Sequence, residues 1–424
     1  MSQTESNSTG GAGAAVVRSE GRGARESAAA REAAAHPDPG GLMEMVKIAA
    51  PTVATMTSFT VMQFVDKLMV SRIQTGEGVD PALFLTAQGN GGIASFVPIS
   101  IIMGLVTVIN TFVSQSLGAK RPERGSAYAW NGLWLGVLGW VVLLLPAAAL
   151  MPLVMRGRGG PEGEDPERVA MLSSQYAQIL LVGGVITIAT KAFSNYFFGM
   201  HKPGVVLAAA LLGNAVNIGA NYVLIFGHFG LPAMGVTGAA LGTIIGTTVE
   251  LIIPMVIFLS PSWNRRYATR SQWRPTGKFL RDLFRVGWPG GAMFGNELIC
   301  FAFFLIVLIG QFGKDHSMVG FITLQYMHLS FMPAVGISVA ITATVGKCMG
   351  MGRPDLAARR AWMGTALACA YMGVCAVAFV VFRSELIEVF VPDETPPEKL
   401  ALWVELGGPI MIAAAAFQVF DALA

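Results

Sequence analysis

The sequence predicts an all-α polytopic membrane protein, with two related helical lobes around a central cavity. Three observations carry this prediction. Of 424 residues, 53% are hydrophobic and 13% are charged, against about 25% charged in soluble domains. Ten apolar stretches each reach the roughly 20 residues that a membrane-spanning helix needs. A block beginning at Gly104 recurs at Gly336. The composition excludes a water-soluble globular enzyme. The net charge of +3 says little, because in such a chain the position of a charge matters more than the sum.

Residues 1–41 are rich in Ala, Gly and Ser, carry four arginines and five acids, and contain no apolar run. Such a segment cannot bury enough surface to fold and is read as a disordered tail. Its acids argue against an organelle transit peptide, and the first apolar stretch comes too late and runs too long for a secretory signal. Ten spans follow, at 45–71, 83–116, 127–152, 170–198, 204–226, 235–259, 285–310, 317–349, 359–382 and 402–424. They divide into a six-helix lobe (42–259), a basic linker (260–284) and a four-helix lobe (285–424). Basic residues fall in alternate loops: Lys120, Arg121 and Arg124; then Arg265, Arg266, Arg270, Arg274, Lys278 and Arg281; then Arg353, with Arg359 and Arg360 close behind. The positive-inside rule places these loops, and the N-terminus, in the cytoplasm. The arginines of 265–281 then face anionic lipid headgroups.

At an offset of 232 residues, Gly104, Val113, Gly118, Arg121, Pro122, Trp130 and Gly132 meet Gly336, Val345, Gly350, Arg353, Pro354, Trp362 and Gly364. In the span before, Pro51 meets Pro289 at an offset of 238. Repeated units in one orientation are expected of a transporter with halves around a cavity. Gly183 and Gly184 match Gly407 and Gly408, so the last span is the fourth of its unit. The second unit therefore reads as incomplete, from a truncated gene or a fragment.

Ionisable residues inside a membrane are expensive, and each is a functional candidate. At helical spacing, Thr52, Thr55, Gln63 and Asp66 share one stripe of the first span. Thr187, Lys191 and Ser194 share a stripe of the fourth span, Asn214, Asn217 and Asn221 of the fifth, and Thr243, Thr247 and Glu250 of the sixth. Four polar faces imply a hydrated pocket inside the first lobe. Hydrogen-bond glue between helices is the alternative, and the two carboxylates and the lysine favour a site. Lys67 and Lys347 are read as reaching the headgroup region. The four cysteines (Cys300, Cys348, Cys369 and Cys375) lack a C-x-x-C spacing and read as packing residues. The histidines suggest no metal site, and G-N-G-G at 89–92 lacks the strand–turn–helix setting of a nucleotide fingerprint.

The repeat, V-S-Q-S-L-G-A-K-R-P at 113–122, N-I-G-A-N-Y-V-L-I-F-G at 217–227 and L-P-A-M-G-V-T-G-A-A-L-G-T at 231–243 together resemble the multidrug and toxic compound extrusion (MATE) family, nearest its NorM-type branch. The resemblance implies twelve helices in two V-shaped lobes, six plus six where six plus four are visible. It also implies export of organic cations in exchange for protons or sodium ions. By motif position, Asp66, Asn217 and Thr243 match the family's first-lobe cation site, and Asn221 stands where many members have aspartate. Glu297 matches the seventh-helix glutamate, and Asp421 the tenth-helix aspartate of the NorM-type branch. Lys191 and Glu250 join the first-lobe set, with Gln63, Thr55, Ser194 and Thr247 as its supporting polar face. Two readings of Lys191 stay open: a pair with Asp66 in one state, or an ammonium left in cavity water. The expected partners are a small organic cation and the lipid bilayer of the inner membrane. No nucleic acid, no metal, no cofactor beyond the coupling ion and a monomeric state are expected. The alternatives are a lipid-linked precursor flippase of the same superfamily and a truncated, non-transporting remnant.

Overall fold

The computed structural model describes residues 41–73, 82–156, 165–303, 314–389 and 397–422. All but one residue of the proposed tail lie outside this set, and nothing but helix and connecting turns occurs within it. The helices are α1 (Gly41–Ser71), α2 (Ala82–Gly118), α3 (Pro122–Met155), α4 (Pro166–Val182), α5 (Gly184–Gly199), α6 (Pro203–Phe226) and α7 (Gly235–Leu259). They continue with α8 (Pro261–Tyr267), α9 (Gly277–Phe303), α10 (Lys314–Gly350), α11 (Pro354–Val381), α12 (Arg383–Glu388) and α13 (Pro397–Asp421).

Among the described residues, 8 helices are long and apolar enough to cross a membrane, or up to 9 if a bent pair counts as one span. That pair is α4 and α5, read from the sequence as the single span 170–198. They meet at Gly183 with a bend of 46°. A break leaves carbonyls without their helical donors. Here the Trp140 indole donates to the carbonyls of Leu181 and Val182 at 3.2 and 3.0 Å. Trp140 itself opens a π-helical turn, Trp140–Leu144, inside α3, so the two irregularities support each other. The expected seventh span lies on α9. Over its described length Lys278, Arg281, Asp282 and Arg285 fill the first turns and Glu297 interrupts the remainder.

The first lobe's core gathers Ile102, Ile109, Val113, Leu181, Ile188, Tyr196, Phe197 and Phe258, all at most 1% exposed. Large apolar side chains also cover the outside, among them Val142, Leu153, Val374, Val377 and Phe420. This is the surface of a protein solvated by lipid. The 260–284 linker is docked rather than loose. Trp130 and Trp134 of α3 donate through their indoles to the carbonyls of Thr269 and Trp273 at 2.7 and 2.8 Å. Asn131 accepts from the Thr276 amide at 2.8 Å.

The lobes touch through α1, α2, α9 and α10, and the contacts follow the sequence repeat. A Cβ on Gly118 would overlap the Lys347 carbonyl oxygen, and one on Gly350 would overlap the Gln115 carbonyl oxygen. A Cβ on Gly104 would strike the backbone of Gly291, and one on Gly336 the backbone of Val53 at 2.7 Å. At the repeat offsets of 232 and 238, each contact of these two pairs is the image of the other. Small residues allow backbones this close approach in a membrane protein. Thr52 Oγ1 donates to the Gly336 carbonyl at 2.9 Å, and Asn110 Nδ2 to that of Val339 at 3.1 Å. These contacts lie toward the end of the molecule that carries the basic loops.

Candidate functional site

Asp66 lies in the last two turns of α1 and is 7% exposed. α6 faces it. Asn221 Nδ2 donates to Asp66 Oδ1 at 2.7 Å and to Asn217 Oδ1 at 3.3 Å. Asn217 and Asn221 are a helical turn apart and essentially fully buried. Their remaining amide atoms, Asn217 Nδ2 and Asn221 Oδ1, have no hydrogen-bond partner. Buried groups in that condition are uncommon and call for explanation. The donor set is a carboxylate and amide oxygens, the hard oxygen ligands that suit a sodium ion. The carboxylate equally suits a proton.

α7 makes this cluster possible. Gly238, Gly242 and Gly246 are spaced at four residues and form a smooth face against α6. A Cβ on Gly242 would overlap Asn221 Oδ1, and one on Gly238 would lie 2.7 Å from the Leu224 carbonyl. One turn beyond, Gly213 on α6 returns the favour, since its Cβ would come within 2.8 Å of Glu250 Cβ. This small-residue ladder is a known route to close helix approach. It was visible in the sequence as a four-residue period and was not singled out. Tyr176 of α4 and Gln88 of α2 were also missed. The Tyr176 hydroxyl neighbours Gln88 and lies within electrostatic reach of Asp66.

The other candidates sort as follows. Lys191 does not meet Asp66 in this structure. Its ammonium lies over the Phe59 ring, 5.5 Å from the centroid, and its charge acts on Glu250. Asp66 takes the Asn221 amide here, and the pair of Lys191 with Asp66 is absent from this state. Thr243 and Thr247 bond back to the carbonyls of Ala239 and Thr243, at 2.9 and 2.8 Å. Thr55 bonds to the Pro51 carbonyl at 2.8 Å. Their hydroxyl protons are thus engaged within their own helices, and each oxygen keeps acceptor capacity. Ser194 is buried and Gln63 half-buried. Asn214, on the same face of α6, donates to Ser58 Oγ at 3.2 Å. Glu297 is carried by α9, with its side chain outside the described set. Asp421 is half-buried at the end of α13, one turn beyond Gln418, which donates to Ser330 Oγ of α10 at 2.6 Å. Lys347, read as reaching the headgroup region, has its ammonium 2.7 Å from Glu44 Oε1. No group of three or more His, Cys, Asp or Glu side chains that could hold a metal ion occurs among the described residues.

A family model described as MatE matches residues 51–223 and 293–424. The chain belongs to the MatE family. Among curated relatives, a "Probable multidrug resistance protein NorM" of Pseudomonas putida is 29% identical over 391 residues, covering 90% of this chain and 79% of the relative. A protein of the same name from Burkholderia pseudomallei is 27% identical over 387 residues, covering 90% and 78%. Among solved structures, an "Outward-facing conformation of a multidrug resistance MATE family transporter of the MOP superfamily" superposes with a TM-score of 0.74 at 18% identity, covering 92% of this chain and 86% of that one. The "eukaryotic MATE transporter AtDTX14" gives 0.70 at 20% identity, covering 90% and 80%. This MatE-family chain is thus an integral membrane transporter with the two-lobed helical fold, and it is not an enzyme.

Proposed function

We propose that this MatE-family protein is an ion-coupled secondary exporter of small organic cations that works by alternating access. Its basic-loop end faces the cytoplasm, and the plasma (inner) membrane is its location. The observation that carries this reading is the buried Asp66–Asn221–Asn217 cluster between α1 and α6. A buried carboxylate beside an unpartnered amide oxygen, Asn221 Oδ1, suits a proton or a sodium ion as the coupling species. Such an ion drives transport if it binds the inward and outward states unequally. Glu297 and Asp421 are the second-lobe carboxylates that this reading assigns to the substrate or ion. The names of the curated relatives support multidrug export. The interlobe contacts gathered at the basic-loop end support a state closed to the cytoplasm.

The test is ethidium export from cells. Asp66→Asn is expected to abolish export at undiminished membrane levels, and Glu297→Gln to do the same. Export at the parental rate by Asp66→Asn would overturn the assignment of the cluster.

A further inference from the structure

Where the lobes close at the basic-loop end, a carboxylate of the first lobe is gripped by two cations of the second. Glu44, in the first turn of α1, accepts from Lys347 Nζ at 2.7 Å on Oε1 and from an Arg360 guanidinium nitrogen at 3.1 Å on Oε2. His201, in the turn between α5 and α6, places Nδ1 3.7 Å from the same Oε1. Its Nε2 lies 3.0 Å from the Ala343 carbonyl of α10 and donates to it. Glu44 and His201 belong to one lobe, and Lys347, Arg360 and Ala343 to the other.

The burial is uneven in an informative way. The Arg360 side chain is 4% exposed, while those of Lys347 and Glu44 are 33% and 36% exposed. A guanidinium taken that far from water needs a carboxylate partner, and removing the partner alone is strongly destabilising. Glu44 supplies one across the lobe boundary.

The repeat contains a second version of the contact. At the offsets of 238 and 232, Glu44 corresponds to Asp282, Arg360 to Tyr128 and Lys347 to Gln115. The structure joins Tyr128 to Asp282 as it joins Arg360 to Glu44, with the Tyr128 hydroxyl donating to Asp282 Oδ2 at 3.3 Å. In each half, an acid in the first turns of one helix docks on the helix after the glycine crossing of the opposite lobe. One version is an ion pair with two cations. The other is a single hydrogen bond from a neutral donor, and at 3.3 Å it lies beyond the usual O–H···O range and is weaker for it.

We propose that Glu44 is the positioning residue that holds the lobes together at the cytoplasmic end, with Lys347 and Arg360 as its partners and Asp282–Tyr128 as the weaker image of the same latch. This rests on the alternating-access reading above. Opening this end separates α1 from α10 and α11, so both cations lose the carboxylate in one step. Glu44 thereby sets the balance between the two access states without touching substrate.

The experiment reads access directly, in the full chain in inside-out membrane vesicles. Cys300, Cys348, Cys369 and Cys375 are replaced by alanine, and Ser114→Cys supplies the reporter. Ser114 is fully buried and its Oγ fills the space left by Gly346 across the lobe boundary. Labelling by a membrane-impermeant maleimide is expected to rise at least about tenfold on Glu44→Gln, and by less on Asp282→Asn. The double variant Glu44→Gln with Lys347→Gln is expected to label no faster than Glu44→Gln alone, because both changes remove the same contact. A rate unchanged by Glu44→Gln would overturn the latch, as would a double variant in which the two effects simply add. If Asp66→Asn still abolishes export in that case, the transport reading stands and the latch alone fails. A reporter that stays unlabelled in every variant, even under an imposed ion gradient, would overturn alternating access and the latch together.

Discussion

Replacing Gly242 by alanine adds one methyl group where α7 touches the candidate cation site. That methyl would overlap Asn221 Oδ1 and would stand 2.9 Å from Asn221 Cγ and 3.2 Å from its backbone nitrogen. Asn221 is fully buried, so the clash can be relieved in two ways. If the side chain turns away, the 2.7 Å bond to Asp66 is lost, and hydrogen bonds to charged groups contribute about 1.5–3 kcal/mol. If the helices separate, the packing of Gly238, Gly246 and Gly213 loosens as well, and overpacking of this kind costs about 1–3 kcal/mol. Either route weakens the site by about 1–3 kcal/mol, which at 1.4 kcal/mol per decade is a roughly five- to hundredfold loss in apparent affinity for the coupling ion. The assay is ethidium export in vesicles against a series of proton or sodium gradients. Gly219→Ala serves as the control, since nothing lies within 4 Å of its added Cβ, and it is expected to behave as the parent. Wild-type ion dependence in Gly242→Ala would refute the claim that α7 positions Asn221 for Asp66.

Two further outcomes are expected. Lys191→Met should impair export while Lys191→Arg retains it, because arginine keeps a cation over Phe59 and within reach of Glu250; equal export by both variants would remove Lys191 from the site. Trp130→Phe with Trp134→Phe deletes the two indole bonds to Thr269 and Trp273, each contributing about 0.5–1.5 kcal/mol, so tryptic cleavage after Arg270 should accelerate several-fold, and cleavage at the parental rate would show that the linker is held by other contacts.

The helices were legible because hydropathy is a local property, and the apolar runs of the sequence lie on the helices of the structure. The break at Gly183 was not legible. Both halves are apolar, and what stabilises the bend is the Trp140 indole, on another helix. The polar stripes of α1 and α6 do meet, at Asp66 and Asn221. Spacing within one helix orders residues on a face, and it does not say which neighbouring helix the face meets. For that reason the stripe of Lys191 leaves both a pair with Asp66 and an ammonium in cavity water open, while the fold lays it over Phe59. Lys347 shows the same limit at longer range. Its partner Glu44 is 303 residues away in sequence, so a lysine near a helix end carried no local sign of an ion pair. The glycine ladder of α7 was present in the sequence, and only the helix packed against it gives that ladder a purpose.

The repeat separates what packing requires from what chemistry requires. Gly104 and Gly336, and Gly118 and Gly350, recur because each side of a symmetric backbone crossing meets the same steric demand. Around those crossings the side chains differ: Glu44, Lys347 and Arg360 on one side, and Asp282, Gln115 and Tyr128 on the other. A backbone contact between apolar helices gains little from the hydrophobic effect inside a bilayer, so the crossing fixes how near the lobes come without deciding how firmly they stay. The charges decide that, and they do so unequally. The acid of the first lobe faces two cations, one of them almost without water, and the acid of the second faces a phenol. A symmetric scaffold with asymmetric charge therefore concentrates the grip on one helix, α1, and Asp66, the carboxylate of the cation cluster, lies on that same helix.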